Sequence, residues 1–76
     1  MGRIKMIWDF RGMDAEQTAL HHEIHLKEFA EREKLKNTVC GVDSINDIYT
    51  LAFITVDESD MILVRNALMP HRGEVG

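Results

Sequence analysis

"IYTLAFITV", Ile48 to Val56, carries apolar side chains in both of its alternating sets: Ile48, Ala52, Ile54 and Val56 in one, Tyr49, Leu51 and Phe53 in the other. Its β-branched and aromatic content reads as a strand, and a strand sends successive side chains to opposite faces. Neither face is cleanly polar, so both must be covered.

The elements on either side follow from that strand. Upstream, "VCGVD" is a short strand and "SIND" supplies turn chemistry, which makes a hairpin with it. At the start of the chain, "RIKMIWDF" alternates with a period of two, with Ile4, Met6, Trp8 and Phe10 on one side and Lys5, Ile7 and Asp9 on the other, and Arg11-Gly12 ends it. Asp14 is placed to cap a helix, Gln17 follows three residues later, and no Gly or Pro interrupts the stretch to about Leu35. Downstream, "DESD" offers caps and early negative charge. Met61, Val64, Ala67 and Leu68 then form one apolar stripe before Pro70 stops the helix.

The order is β-α-β-β-α, and any fourth strand must fit within "HRGEVG". The fold class expected is α+β, one domain over residues 1–76, with a right-handed crossover that lays both helices on one face of a mostly antiparallel sheet. The other face then has no cover of its own, and sheet-on-sheet packing with a second copy is the simplest way to provide one. A chain of this size buries only about 60% of its unfolded surface, and the single cysteine, Cys40, cannot form an internal disulfide. A structural metal or a partner subunit remains as the supplement, and the uncovered sheet face makes a homodimer the expectation.

Composition excludes several functions. Apolar residues at 45% and charged residues at 29% are globular values. Thirteen acidic against 9 basic residues, the latter scattered, give −4 and no footprint for nucleic acid. No apolar run approaches the ~18 residues of a membrane span, and "MGRIKMIWDF" lacks an apolar leader core. The expectation is a cytoplasmic protein.

By element order and length, nearly the whole chain resembles the ferredoxin-like subunit of the dimeric α/β-barrel superfamily, in which two such sheets pack face to face. The resemblance implies a homodimer and, in each subunit, a pocket between sheet and helices. Different members use that pocket for oxygenation of aromatic compounds, isomerisation, haem chemistry or ligand sensing. The departure is at the C-terminus, where the fourth strand of that fold has only "HRGEVG" to occupy.

"HHEIH", His21 to His25, holds three of the chain's four histidines. It is not the zinc-protease pattern H-E-x-x-H, because position 26 is Leu26. At about 100° per residue, His22 falls in one arc with Ala15, Ala19, Leu26, Phe29 and Ala30 and points at the sheet. His25 lies at the border of that arc, and His21 lies in a polar sector with Asp14, Glu28 and Arg32. His22 is either a core histidine satisfied by one hydrogen bond or the acid/base or ligand anchor of a pocket, for which Ala15 and Ala19 leave room. A closed metal site on these histidines would need further ligands from Asp9, Glu28, Cys40 or His71, so no metal ligand set is assigned and no cofactor is expected.

Two other stretches hold candidate ligand-binding residues. "WDFRG" puts Trp8, Asp9 and Arg11 at the carboxyl end of the first strand, where clefts often open; the bland reading is a core Trp8 and an exposed Asp9–Arg11 ion pair. "PHRGE" brings His71 and Arg72 to the mouth of a pocket if the tail folds back. Cys40 reads as a small core residue and the acidic helix surface as a solvated face. The leading expectation is a small-molecule-binding homodimer with His22 and His25 in a pocket between helix and sheet. Any catalysis there would be proton transfer, as in isomerisation or cofactor-free oxygenation. The alternatives are a metal-binding protein using the helix histidines and a non-catalytic acidic protein-interaction module.

Overall fold

The computed structural model describes residues 2–75. Strand β1 (Arg3–Arg11) is followed by α1 (Ala15–Arg32), the hairpin β2 (Val39–Asn46) and β3 (Tyr49–Asp57), a single 3₁₀ turn (Glu58–Asp60), α2 (Met61–Leu68) and β4 (Arg72–Val75). The sheet order is β2-β3-β1-β4, antiparallel throughout. Among the described residues no helix is long and apolar enough to cross a membrane.

One sheet face carries the core. Met6 and Trp8 of β1 and Ala52, Ile54 and Val56 of β3 pack with Ala19, Leu26, Phe29 and Ala30 of α1 and with Val64 of α2. These are the inward sets expected from the alternation of the strands and the stripe of the helix. Trp8 also donates its indole N–H to the Leu68 carbonyl at 3.1 Å, which satisfies one of the open carbonyls at the end of α2.

The boundaries differ from expectation in three places. α1 stops at Arg32 rather than near Leu35, because Lys34 turns left-handed at φ 56°. The Leu35 N–H then reaches back to the Ala30 carbonyl at 2.9 Å and the Lys34 N–H to Glu31 at 3.2 Å, a Schellman closure with lysine where glycine is usual. Asp14 precedes α1 without a side-chain capping bond, so the expected capping box is absent. β2 runs on through "SIN" to Asn46 with a bulge between Ser44 and Asn46, and the turn is Asp47-Ile48, closed by Asn46 Oδ1 accepting the Ile48 N–H at 2.9 Å.

"RGEV" does form a strand. β4 pairs with β1 from Ile4↔Val75 to Ile7↔Arg72, so the tail of the chain occupies the free edge of β1.

On the face away from the helices, Lys5, Ile7, Asp9 and Arg11 lie beside Thr55, Phe53, Leu51 and Tyr49. Ile7 is 1% and Leu51 7% exposed within the single chain, so much of the apolar surface expected to need a second copy is covered by neighbouring side chains. Phe53 covers Gly41, where an added Cβ would meet the tip of its ring at 2.8 Å. Lys5 Nζ sits 4.3 Å from the Phe53 ring centroid, and the Arg11 guanidinium 4.0 Å from that of Tyr49. Long aliphatic stems with charged tips do the covering here.

Candidate functional site at the carboxyl end of β1

β1 distributes its last residues between two environments. Trp8 and Phe10 face α1, while Asp9 and Arg11 face the opposite side of the sheet. His22, one turn before Leu26 on α1, comes down on the first pair. Its ring centroid is 4.7 Å from Trp8 and 5.5 Å from Phe10, with interplanar tilts of 58° and 59°. These are ordinary tilted aromatic contacts, so the helical phase that aims His22 at the sheet ends on an aromatic floor.

His22 Nε2 is buried with no hydrogen-bond partner. Burial is the main cause that holds its pKa below the usual histidine range, and the neighbouring His25, His71 and His21 add to the effect. A ring so placed is neutral at pH 7, with one nitrogen a donor and the other an acceptor. A buried polar atom with no partner costs about 1–3 kcal/mol, and native proteins keep few of them. Nε2 of His22 thus lacks the structural hydrogen bond that a satisfied core histidine would make there.

The remaining residues separate. His71 takes over the edge of β1 just before β4 begins: its backbone N–H donates to the Ile7 carbonyl at 3.0 Å, and its Nδ1 accepts the Asp9 N–H at 2.8 Å. Accepting at Nδ1 leaves the proton of the neutral ring on Nε2. The ring lies 6.4 Å from Phe10, so His71 and His22 flank the same aromatic residue.

On the far face, Asp9 is the centre of a polar cluster. Arg72 reaches it from Nε to Oδ2 at 3.1 Å and from Nη2 to Oδ1 at 3.2 Å, and the Tyr49 hydroxyl donates to Oδ1. The bond from Arg72, then that from Tyr49, holds the Asp9 carboxyl below its ordinary range. Asp9 thus pairs with Arg72, and the Asp9–Arg11 pair expected from the sequence is replaced by Arg11 stacking on Tyr49.

His25 sits outside this region. It is exposed, its Nε2 is 3.0 Å from Nε2 of His21, and its Nδ1 is 3.4 Å from Glu28 Oε1. The seven residues singled out in the sequence therefore fall in three places: His22 with Trp8 on the helix side, Asp9, Arg11 and Arg72 on the far face with His71 at the edge between, and His25 on the outer surface of α1. Sequence reasoning missed Phe10 and Tyr49. Phe10 was legible as the last member of the inward set of β1, but Tyr49 joins Asp9 only through the pairing of β3 with β1. Concavities of about 300, 450 and 520 Å³ open elsewhere, beside Leu35 and Cys40, between Met13 and Ser44, and around Arg3 and Asp57.

No family model, curated protein or solved structure matches the chain significantly.

Proposed function

We propose that the protein is a homodimer that binds a small planar organic molecule between α1 and the carboxyl end of β1, with His22 as polar anchor and Trp8 and Phe10 as apolar walls. The observation that carries this reading is the buried, unpartnered Nε2 of His22 beside two aromatic rings. A hydroxyl or carbonyl oxygen of a ligand would pair that nitrogen and remove its desolvation cost, and a flat ligand body would suit the rings. Used catalytically, the same imidazole would be the base for isomerisation or cofactor-free oxygenation.

The strand order β2-β3-β1-β4, with both helices contributing to the core on one sheet face, supports the ferredoxin-like reading. The second copy would then pack on the opposite face, where Tyr49 and Phe53 are only half-buried beneath Arg11 and Lys5. Charge-tipped stems can swing aside more readily than packed apolar groups, which leaves that face adaptable.

Binding is tested by titrating isotopically labelled protein with a panel of hydroxylated aromatic compounds. The His22 imidazole and the Trp8 indole N–H should shift together for at least one compound, and His22→Ala should remove the response. Affinity unchanged in His22→Ala, or shifts confined to exposed residues, would overturn the proposal.

A further inference from the structure

His21 and His25 are one helical turn apart on the exposed side of α1, and their Nε2 atoms converge to 3.0 Å. The rings meet edge to face at 79°, with centroids 4.6 Å apart. We propose that this pair is a two-nitrogen chelate for a divalent transition-metal ion, with a preference for Cu²⁺ over Ni²⁺ and for both over Zn²⁺. The site is separate from the binding site proposed at His22, because His22 points the other way, onto Trp8 and Phe10.

Three features of the geometry point there. Histidines at i and i+4 share one helix face, so little backbone or side-chain freedom is lost in bringing both rings to one ion. With metal–nitrogen bonds of about 2.0–2.1 Å, nitrogens at this spacing subtend about 90–97° at the ion. That is the cis angle of a tetragonal or octahedral ion and is narrower than the tetrahedral angle of a structural zinc site, and the Irving–Williams order favours copper independently. Glu28 Oε1, 3.4 Å from His25 Nδ1, places a carboxylate behind the second ring nitrogen. A carboxylate that accepts a hydrogen bond from Nδ1 would keep the proton there and leave the Nε2 lone pair free for the ion, the usual arrangement behind a metal-bound imidazole.

In the metal-free protein, one Nε2–H donates to the other Nε2. Binding requires that ring to carry its proton on Nδ1 instead and the two exposed rings to turn until both Nε2 lone pairs converge on the ion. Among the described residues no group of three or more His, Cys, Asp or Glu is placed to hold a metal ion, so water completes the coordination shell. The site is therefore open and exchangeable, unlike the closed four-ligand sites that fold small domains.

Calorimetric titration of the full chain with Cu²⁺, Ni²⁺ and Zn²⁺, with electron paramagnetic resonance of the Cu²⁺ complex, tests the proposal. Tightest binding is expected for Cu²⁺, at one ion per chain, with hyperfine coupling from two imidazole nitrogens. His21→Ala and His25→Ala should each weaken Cu²⁺ binding at least about tenfold, because a chelate becomes a single ligand. Glu28→Gln should weaken it by up to about tenfold through the outer carboxylate alone. Both histidines are exposed, so the variants should fold, as circular dichroism will report. Equal Cu²⁺ affinity in the parent and both alanine variants, coupling from a single nitrogen, or a preference for Zn²⁺ would overturn the assignment.

Discussion

Arg72 grips Asp9 with two hydrogen bonds, at 3.1 and 3.2 Å, and so clasps the last strand to the first by side chains as well as by its backbone ladder. The strand it secures has only four residues, all exposed. Short edge strands are the first to fray, so a bidentate guanidinium–carboxylate pair at one end should decide how long β4 stays in place. Arg72→Ala should speed hydrogen exchange at the backbone amides of residues 72–75 and leave the β1–β3 ladder protected. Unchanged exchange there would show that the ladder alone holds β4.

The same pair sets a pH dependence. The Asp9 carboxyl is held below its ordinary value, first by Arg72 and then by Tyr49, so below about pH 4 the unfolded chain binds its proton more readily than the folded one. Its contribution to stability is fully present above the unfolded pKa and is lost as pH falls through the folded value. Urea midpoints of the parent and Asp9→Asn should therefore differ at pH 6 and converge as pH falls below 4. A constant gap would rule out this titration.

Lys34 occupies a left-handed conformation at φ 56°, where the Schellman closure of α1 demands it. A non-glycine residue there is strained by about 1–2 kcal/mol, and glycine loses part of that advantage through chain entropy. Lys34→Gly should raise stability by about 0.5–1 kcal/mol, read as a higher urea midpoint at unchanged slope. A loss of stability would mean that the lysine side chain contributes more than its backbone strain costs.

Replacing His22 by Phe keeps a flat ring on Trp8 and removes the unpartnered nitrogen. Exchanging an unsatisfied polar group for an apolar one of similar shape is neutral or stabilising, here by about 0–2 kcal/mol. The variant should melt at or above the parent's temperature while losing the ligand response, the trade expected where a residue is kept for binding. A lower melting temperature would indicate that a water or side-chain partner satisfies that nitrogen in solution.

The proposed dimer can be read directly by light scattering, as twice the 8.8 kDa chain mass. Phe53→Glu puts a charge at the centre of the face opposite the helices and should give a folded monomer. If the parent protein is already monomeric at micromolar concentration, Lys5, Arg11 and Arg72 are sufficient cover for that face, and the face-to-face assembly fails.

Several features were legible in the chain because they depend on local period. The inward set of β1, the apolar stripe of α1 with His22 inside it, and the two-sided character of β3 follow from alternation and helical phase. The stop of α1 was not, since the left-handed residue is a lysine and the signal usually read there is glycine. "RGEV" has no apolar alternation to announce β4. It is a strand because the edge of β1 offers unpaired backbone groups that the returning chain can reach.

The sequence by itself determined the element order and which side of each element is apolar, because those properties arise between residues a few positions apart. Only the tertiary structure decided the partners. Asp9 meets Arg72 and Tyr49 across strands that are distant along the chain, His71 fills in for a missing ladder bond, and His22 arrives on Trp8 and Phe10 with one nitrogen unpaired. Such contacts depend on strand register and on how a helix lies across a sheet, and register is a property of the assembled sheet, with no local signal in the residues that end up side by side.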